Sequence, residues 1–351
     1  MSSMTINQNK IEAENEKVND VDANNSLGKL TLEEEKLLKE SDATIRKVLE
    51  YEKRRYKRKG YGLIVAVILS LSYFFYMPKV IHYFLPKENE IKNPGLFYAF
   101  VSFFVHEVVY LLANSYYIII YFINLPFFER YKVSSEPWPW QQDKEEFRKL
   151  VIRTIKQVSF NHLVVVPLVL LPNIIFNDCP YRLNDEIPSI FEIIAQIIFC
   201  MICEDFAFYW SHRTLHTDYF YGKIHKLHHE YKETICISSE YAHPIEYLLG
   251  NILPTNLGGL ILGQRMHIIT SILVSMMVSH EAIDGHSGYE FSWSPHRLLP
   301  MSIGAEFHIF HHLKFKGNYA SLFTFWDRVG NTINKAYMKY YFLKEKTMKI
   351  D

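Results

Sequence analysis

The chain has 351 residues, with 38 basic and 38 acidic side chains and a formal net charge of zero at pH 7. This balance argues against a nucleic-acid partner recruited by bulk positive charge, and four cysteines are too few for a disulfide scaffold. A hydrophobic content of 49% excludes a chain that is disordered throughout.

The first segment of the chain differs in composition from the rest. Residues 1–60 hold 25 of the 76 charged side chains, although they make up about one sixth of the length. Residues 1–28 predict a solvated tail, and residues 30–52 carry apolar side chains at the spacing of a short amphipathic helix. The first ten residues have no apolar core, so no cleaved signal peptide is expected. We therefore predict a cytosolic tail over residues 1–58 and a second, membrane-embedded domain over residues 59–351.

Long segments with few charges follow the tail. Residues 61–78 and 157–177 contain no charged side chain, and residues 93–128, 187–203 and 247–280 contain one each. A helix that crosses a bilayer needs about 20 mostly apolar residues. One such segment would fit the core of a soluble protein, whereas five in one chain favour a membrane protein. We predict an all-α integral membrane bundle with about four spanning helices.

Basic residues flank these segments unevenly. The run at 53–59 (KRRYKRK) precedes the first segment, and the loop at 129–156 carries seven basic residues, whereas the loop at 79–92 is weakly charged. Since positive charge favours the cytosolic side, we predict a cytosolic N-terminus and two hairpins, the second over residues 157–177 and 188–208. The chain after the second hairpin would start on the cytosolic face. Taken alone, the first basic run also fits a nuclear localisation signal or a contact with anionic lipid.

Proline and glycine interrupt two of the apolar segments. Pro167 and Pro172 lie inside residues 157–177 and predict kinks in that helix. The segment at 247–280 contains Pro254, Gly258, Gly259 and Gly263, so we predict a broken or re-entrant pair of helices there rather than two clean spans.

Histidine is concentrated in one part of the chain, since 13 of the 16 histidines lie between residues 212 and 312. Eight of them form three clusters, called the histidine boxes below: His212 and His216; His225, His228 and His229; and His308, His311 and His312. Residues three or four apart share a helix face, so each box is expected to point its imidazoles to one side. Eight imidazoles exceed the four ligands of one tetrahedral zinc ion and suit two metal ions held close together. Histidines buried only for packing would explain single residues, but not three patterned clusters.

The ligand type narrows the choice of metal. An all-histidine site at a membrane surface fits two iron ions that activate dioxygen, with an apolar substrate entering from the bilayer. A dizinc lipid hydrolase is the rival interpretation, but such centres usually rely on bridging carboxylates, which the boxes lack. Cys200 and Cys203 have the spacing of a redox motif, but inside an apolar segment they favour two buried small side chains.

Around the boxes, over residues 190–335, the chain resembles the membrane fatty acid hydroxylase superfamily and is most similar to its sterol C-4 methyl oxidases (methylsterol monooxygenases). Five segments carry the match: WSHRTLH at 210–216, IHKLHHEY at 224–231, EYAHPIE at 240–246, IDGHSGYEFSWSP at 283–295 and GNYASLFTFWDRVG at 317–330. Enzymes similar to cholesterol 25-hydroxylase share HSGY and the boxes, whereas GNYAS followed by WDR is more like the C-4 oxidases. The tail over residues 1–58 lies outside the resemblance.

The resemblance implies which residues bind the two iron ions. The eight box histidines would be ligands, together with His286, which follows Asp284 in the fourth segment. Related hydroxylases have a further histidine where this chain has Glu290, so either a carboxylate fills a tenth position or the centre has nine ligands. Apart from the resemblance, five residues near the boxes are candidates for further ligands or for orienting imidazole N–H groups: His243, Asp284, Glu240, Glu204 and Asp205. The alternative for Glu204, Asp205 and Glu240 is a solvated or capping role, and for His243 it is a turn before Pro244.

The resemblance also implies the reaction and its partners. The C-4 methyl group of a sterol intermediate would be oxidised with dioxygen, and the histidine boxes would face the cytosol at the endoplasmic reticulum membrane. Cytochrome b5 and an NAD(P)H-dependent reductase would deliver the electrons, because the chain has no flavin or nicotinamide fingerprint of its own.

Four departures from the usual family pattern leave the oxidised position open. They are KETICISS after the second box, FHIFHH where HHDxHH is usual, FSWS where FPWS is usual, and GNT where GT is usual. The alternatives are a sterol side-chain hydroxylase or C-24 dealkylating enzyme, a sterol desaturase, an acyl-lipid hydroxylase, and a membrane scaffold with a degenerate site.

Outside the boxes, His280 is expected to line the cavity. Five histidines are expected to be structural or interfacial: His82, His106, His162, His267 and His296.

Overall fold

The structure is a computed structural model that describes residues 59–134, 136–335 and 337–338. The predicted tail over residues 1–58 lies outside the described residues. Within the described ranges the chain is helical and forms no β-strand, only three isolated bridges. The prediction of an all-α fold is therefore confirmed.

Eight helices of ten residues or more make up most of this part of the chain. They are α1 (Lys59–Phe84), α2 (Pro94–Ile123), α3 (Lys144–Phe160), α4 (Val166–Phe176), α5 (Ile190–Leu215), α6 (Leu253–Leu262), α7 (Ile268–His286) and α8 (Ala305–Lys314). Single helical turns lie at Pro126–Glu129, Pro139–Gln142, Asp218–Tyr221, Pro244–Glu246 and Phe325–Val329. 3₁₀ turns lie at Glu88–Glu90, His225–Glu230, Cys236–Glu240, Gly263–Arg265 and Pro295–Leu298, and π-helical segments lie at Asn161–Val165 and Tyr247–Ile252.

Four helical segments are long and apolar enough to cross a membrane: Gly60–Glu90, Pro94–Ile123, Lys144–Phe176 and Ile268–His286. The first contains the apolar segment predicted at 61–78, and the second and third cover most of the segments predicted at 93–128 and 157–177. The prediction of a helical membrane bundle is confirmed. The fourth is α7. α5, which overlaps the predicted span 188–208 and carries three acidic residues, is not among the four, so the second predicted hairpin stays a prediction.

Polar residues at the helix ends explain where several helices begin. Asn93 accepts a hydrogen bond from the backbone N–H of Leu96 (2.7 Å) at the start of α2, and Pro94 occupies the first helical position. Asp143 accepts hydrogen bonds from the N–H groups of Glu145 and Glu146 (3.0 Å each) at the start of α3. These caps fix the points at which the loops enter the bundle.

Both π-helical segments immediately precede a proline-containing helix. Pro167 lies in the first turn of α4 and Pro254 in the first turn of α6. Proline has no backbone N–H, so the carbonyl one turn earlier loses its usual partner and the helix widens locally. The kink expected at Pro167 therefore takes the form of a π-helical turn, and the segment at 247–280 is broken between α6 and α7.

Helix α7 lies at the centre of the bundle. It packs against α2, α5, α6 and α8, and 61% of its most apolar window is buried. α5 and α6 approach closely because Gly258 of α6 faces the backbone of Cys200 in α5. The C-terminal ends of α5 and α7 both contact α8, through the ring pairs His212–His311 and His286–His308.

Candidate metal centre

The nine histidines singled out as metal ligands lie in two neighbouring groups. The first group contains His212, His216, His225, His229 and His311, and the second contains His228, His286, His308 and His312. Within each group, one possible ligand atom from every residue lies within 4.8 Å of the others. The residues come from the end of α5, the 3₁₀ turn at His225–Glu230, the last residue of α7, and α8.

The second and third boxes each contribute to both groups, contrary to the expectation that each box would point to one side. His228 joins the second group although His225 and His229 join the first, and His311 joins the first although its box neighbours join the second. The two groups are consequently close, since the rings of His229 and His312 are 4.6 Å apart between centroids.

In the first group the Nε2 atoms converge. His225 Nε2 lies 2.8 Å from His216 Nε2 and 3.1 Å from His229 Nε2. His311 Nε2 lies 3.1 Å from His216 Nε2, and His212 Nε2 lies 3.2 Å from His225 Nε2. Ligands bound about 2.0–2.1 Å from one metal ion are themselves about 3 Å apart. The spacing of the five nitrogens is therefore that of a metal-binding set.

The second group has the same geometry. His308 Nε2 lies 2.9 Å from His286 Nε2 and 3.0 Å from His312 Nε2. His228 Nε2 lies 3.3 Å from His286 Nε2. Four imidazoles from three separate segments of the chain thus present the same ring atom to one point.

The other ring nitrogen of most of these residues faces a fixed acceptor. Nδ1 lies next to a backbone carbonyl in His212 (Tyr319 O, 2.8 Å), His228 (Tyr241 O, 3.2 Å), His286 (Ala282 O, 2.7 Å), His311 (Gly317 O, 2.8 Å) and His312 (Tyr231 O, 2.9 Å). A carbonyl only accepts hydrogen bonds, so Nδ1 carries the proton and Nε2 keeps its lone pair. The tautomer that binds a metal through Nε2 is thereby selected before any metal binds.

Burial keeps these imidazoles neutral. Loss of solvation lowers the pKa of His228 from 6.5 to about 4, and lowers the pKa of His216 to about 2, with the neighbouring imidazoles adding to the effect at His216. The same two causes hold the pKa of His225, His308 and His312 well below the usual value. Nine neutral imidazoles with converging lone pairs repel one another unless cations lie between them, so the donor set fits two metal ions.

A cavity adjoins both groups. It is lined by histidines of the two groups and by small or apolar residues such as Phe208, Gly250 and Ile303. Ser239 and Glu246 also line it, and Ser239 Oγ and Glu246 Oε2 have no hydrogen-bond partner among the described residues. A mostly apolar cavity with a few polar atoms beside the metal-binding groups suits an apolar substrate that carries a small polar group. His280, which was expected to line it, contacts His296 (Nδ1 to Nε2, 3.1 Å).

The acidic residues expected near the metal belong to neither group. Asp284 accepts hydrogen bonds from the hydroxyl of Tyr117 (2.5 Å) and from Arg297 (2.9 Å). Glu290, the candidate tenth ligand, pairs with the same arginine and accepts the backbone N–H of Glu306 (3.1 Å). The geometry thus favours nine histidines over a set that includes Glu290.

The other three acidic candidates and His243 also have different neighbours. Asp205 accepts the backbone N–H groups of Leu322 (2.9 Å) and Phe323 (3.0 Å), and Glu204 is buried beside it in α5. Glu240 lies 2.6 Å from His162 and 3.3 Å from His106, both outside the boxes. His243 accepts the N–H of Ile245 (3.2 Å) and begins a helical turn, as expected for a residue before proline.

Glu246 is the residue that sequence reasoning missed. Its Oε1 lies 2.7 Å from His225 Nδ1, so this carboxylate orients a box imidazole in the place of a backbone carbonyl. It is the last residue of the EYAHPIE segment, so the signal was present in a motif already recognised.

Asp327 of the WDR motif supports the metal centre indirectly, by holding a loop that contacts one of the histidines. It accepts the N–H groups of Tyr319 (3.0 Å) and Ala320 (2.8 Å), and so holds the loop whose Tyr319 carbonyl faces His212. The pairing of GNYAS with WDR in the sequence thus has a structural reason.

Comparisons with known proteins agree with the geometry. A family model described as fatty acid hydroxylase matches residues 197–332. Methylsterol monooxygenase 2-2 of Arabidopsis thaliana is 36% identical over 248 residues, which are 70% of this chain and 88% of the relative. C-4 methylsterol oxidase erg25 of Schizosaccharomyces pombe is 32% identical over 253 residues, covering 70% of this chain and 78% of the relative.

Another relative has a comparable sequence identity but is named for a different reaction. Very-long-chain aldehyde decarbonylase GL1-8 of Oryza sativa subsp. indica is 33% identical over 248 residues, which cover 70% of this chain and 88% of the relative. No solved structure matches the chain.

Proposed function

Because this chain belongs to the fatty acid hydroxylase family, we propose that it is a sterol methyl oxidase, which oxidises the C-4 methyl group of a sterol intermediate with dioxygen. The observation that carries the proposal is the convergence of nine neutral imidazoles in two adjacent groups beside an apolar cavity. The names of two relatives, methylsterol monooxygenase and C-4 methylsterol oxidase, support a methylsterol as the substrate.

The metal in this proposal is a pair of non-haem iron ions. His212, His216, His225, His229 and His311 would hold one ion, and His228, His286, His308 and His312 would hold the other. Iron bound there would supply the activation of dioxygen and the attack on an unactivated C–H bond. Imidazole suits iron, zinc and copper alike, so the choice of iron rests on the family.

The protein's own residues would position and insulate the reaction. The carbonyls of Tyr241 and Tyr231 and the carboxylate of Glu246 hold three of the imidazoles in one orientation. The apolar lining of the cavity would exclude water from the reacting carbon. Ser239 Oγ lines the cavity without a hydrogen-bond partner among the described residues, so it would be available to the hydroxyl group that a sterol carries beside its C-4 carbon.

The reaction needs electrons from outside the chain. We propose cytochrome b5 and an NAD(P)H-dependent reductase as donors, and the endoplasmic reticulum membrane as the location, with the boxes on the cytosolic side. The four apolar helices support a location in a lipid bilayer. The seven basic residues over 129–156, which lie in the loop before α3 and in the first part of α3, support the orientation.

The decisive experiment is to identify the sterols that accumulate when the protein is absent. Accumulation of 4-methylsterols is expected, together with about two iron ions per purified chain and sterol-dependent oxygen uptake. Zinc in place of iron, with no oxygen uptake on any sterol, would contradict the proposal. Accumulation of 24-alkyl or saturated sterols would instead favour side-chain oxidation, C-24 dealkylation or desaturation.

A second candidate is the conversion of a fatty aldehyde or another acyl-chain substrate. The similarity to a relative named very-long-chain aldehyde decarbonylase favours it. Consumption of long-chain aldehydes by the purified protein, with an unchanged sterol profile in cells that lack it, would select this candidate over the first.

A further inference from the structure

Four ionisable side chains meet inside the bundle, away from the histidine boxes. His106 and Glu107 lie midway along α2, His162 lies in the π-helical segment Asn161–Val165, and Glu240 ends the 3₁₀ turn at Cys236–Glu240. His162 and Glu240 are buried, and Glu107 is 23% exposed. Ionisable residues in the middle of a membrane helix are costly, so their presence indicates a function.

The carboxylate of Glu240 contacts the Nε2 atoms of both His106 and His162. Glu240 Oε2 lies 2.6 Å from His162 Nε2, and Glu240 Oε1 lies 3.3 Å from His106 Nε2. The hydroxyl of Tyr247 donates a further hydrogen bond to Glu240 Oε2 (3.0 Å). A carboxylate that accepts the outer N–H of a histidine is the usual support behind a metal-binding imidazole.

The second carboxylate, that of Glu107, faces the Nδ1 atoms of the same two imidazoles. Glu107 Oε1 lies 3.0 Å from His162 Nδ1 and 3.2 Å from His106 Nδ1. With the Nε2 protons directed at Glu240, both Nδ1 atoms of neutral imidazoles present lone pairs to an anionic oxygen. Positive charge must therefore lie at this point, either as two additional protons or as one metal ion.

The spacing and the charge fit one divalent ion. The two Nδ1 atoms and the Glu107 oxygen all lie within 4.8 Å of one another, and the two measured separations match ligands about 2.0–2.1 Å from a shared ion. Two neutral imidazoles, two carboxylates and a divalent cation sum to zero charge, as the interior of a membrane bundle requires. Two histidines and one carboxylate are a donor set used by both zinc and iron(II).

The surrounding backbone positions the cluster. Both π-helical segments of the described chain, each of which precedes a proline, reach it, and π-helical turns are frequently found at functional sites. The first supplies His162, and the second begins with Tyr247, whose hydroxyl holds Glu240. Asn161 also donates a hydrogen bond to the carbonyl of Ala242 (2.9 Å), which ties the first segment to the chain just beyond Glu240.

We propose that His106, Glu107 and His162 bind one divalent transition-metal ion, separate from the histidine-box centre, with Glu240 orienting both imidazoles. The ion links α2, the helix pair α3–α4 and the segment that follows the second box. The site does not depend on the proposed function, because it shares no residue with the two groups of box histidines.

The test is the total number of iron and zinc ions per chain in the purified full-length protein after equilibration with both metals. Three ions per chain are expected in the wild type and two in His162→Asn or Glu107→Gln. His82→Asn, in the last turn of α1, is the matched control and should retain three. The double variant of His228→Ala and His162→Asn should bind one ion fewer than His228→Ala alone, which separates the outcome from any failure of the proposed function.

Two outcomes would overturn the proposal. A wild type that binds no more than two metal ions per chain would do so, and would identify the cluster as two imidazolium–carboxylate pairs. A metal count that is unchanged in both His162→Asn and Glu107→Gln would overturn it as well.

Discussion

Single side chains determine how well the candidate centre can hold a metal. A box imidazole offers Nε2 to the centre only while its Nδ1–H is held by an acceptor, and for His225 that acceptor is the carboxylate of Glu246 rather than a backbone carbonyl. A side chain can be replaced by mutation and a carbonyl cannot. His225 is therefore the box residue whose orientation can be tested directly.

Replacing Glu246 by alanine should weaken metal binding about 10–100-fold, since the outer hydrogen bond of His225 is lost. The measurement is iron retention during titration with a chelator, with Glu145→Gln as a control at an exposed carboxylate. Unchanged retention in Glu246→Ala would mean that the carboxylate does not orient the imidazole.

Acid should destabilise the metal-free protein. Burial lowers the pKa of His228 to about 4, whereas the unfolded chain binds a proton at this residue near 6.5. Between these values the unfolded state carries more protons, so the free energy of unfolding rises with pH over this window and levels off above it. The melting temperature should therefore be lower at about pH 5 than at neutral pH. His228→Asn should show a smaller difference, and an equal difference would contradict the assignment.

At the scale of helices, the contact between α5 and α6 depends on the absence of a side chain at Gly258. A Cβ atom there would lie 2.6 Å from the Cα of Cys200, so neither partner can move aside by changing a rotamer. Gly258→Ala should destabilise the protein by about 1–3 kcal/mol through overpacking. Thermal unfolding in detergent measures this effect. Gly222→Ala, which meets nothing within 4 Å, is the control, and equal melting temperatures for the two variants would argue against the contact.

The helical elements show which parts of the site local sequence can predict. The apolar run at 157–177 predicts a helix from composition alone, and the three boxes identify the histidines from spacing. The division of the second box is not local, because His228 turns away from His225 and His229 in a 3₁₀ turn that α7 and α8 complete. Glu240 was expected beside the boxes, yet it meets His106 and His162, since the approach of α2 and the π-helical segment is a long-range contact.

At the scale of the whole molecule, the distribution of basic residues predicts an orientation in the membrane. A glycan acceptor sequence inserted between α1 and α2 should be glycosylated, because that loop is expected on the lumenal side, whereas one inserted at 133–138 should not. A shift in electrophoretic mobility that glycosidase reverses is the readout. The reverse pattern would place the histidine boxes on the lumenal face and exclude a cytosolic electron donor.

The division of the boxes also has a consequence for the biogenesis of the protein. The first group needs His311, and the second needs His308 and His312. Neither group is complete until α8 has been synthesised, after α1, α2, α3–α4 and α7. Complete metal binding is therefore expected to be a late step in the synthesis of the chain, because the earlier histidines lack their partners until then.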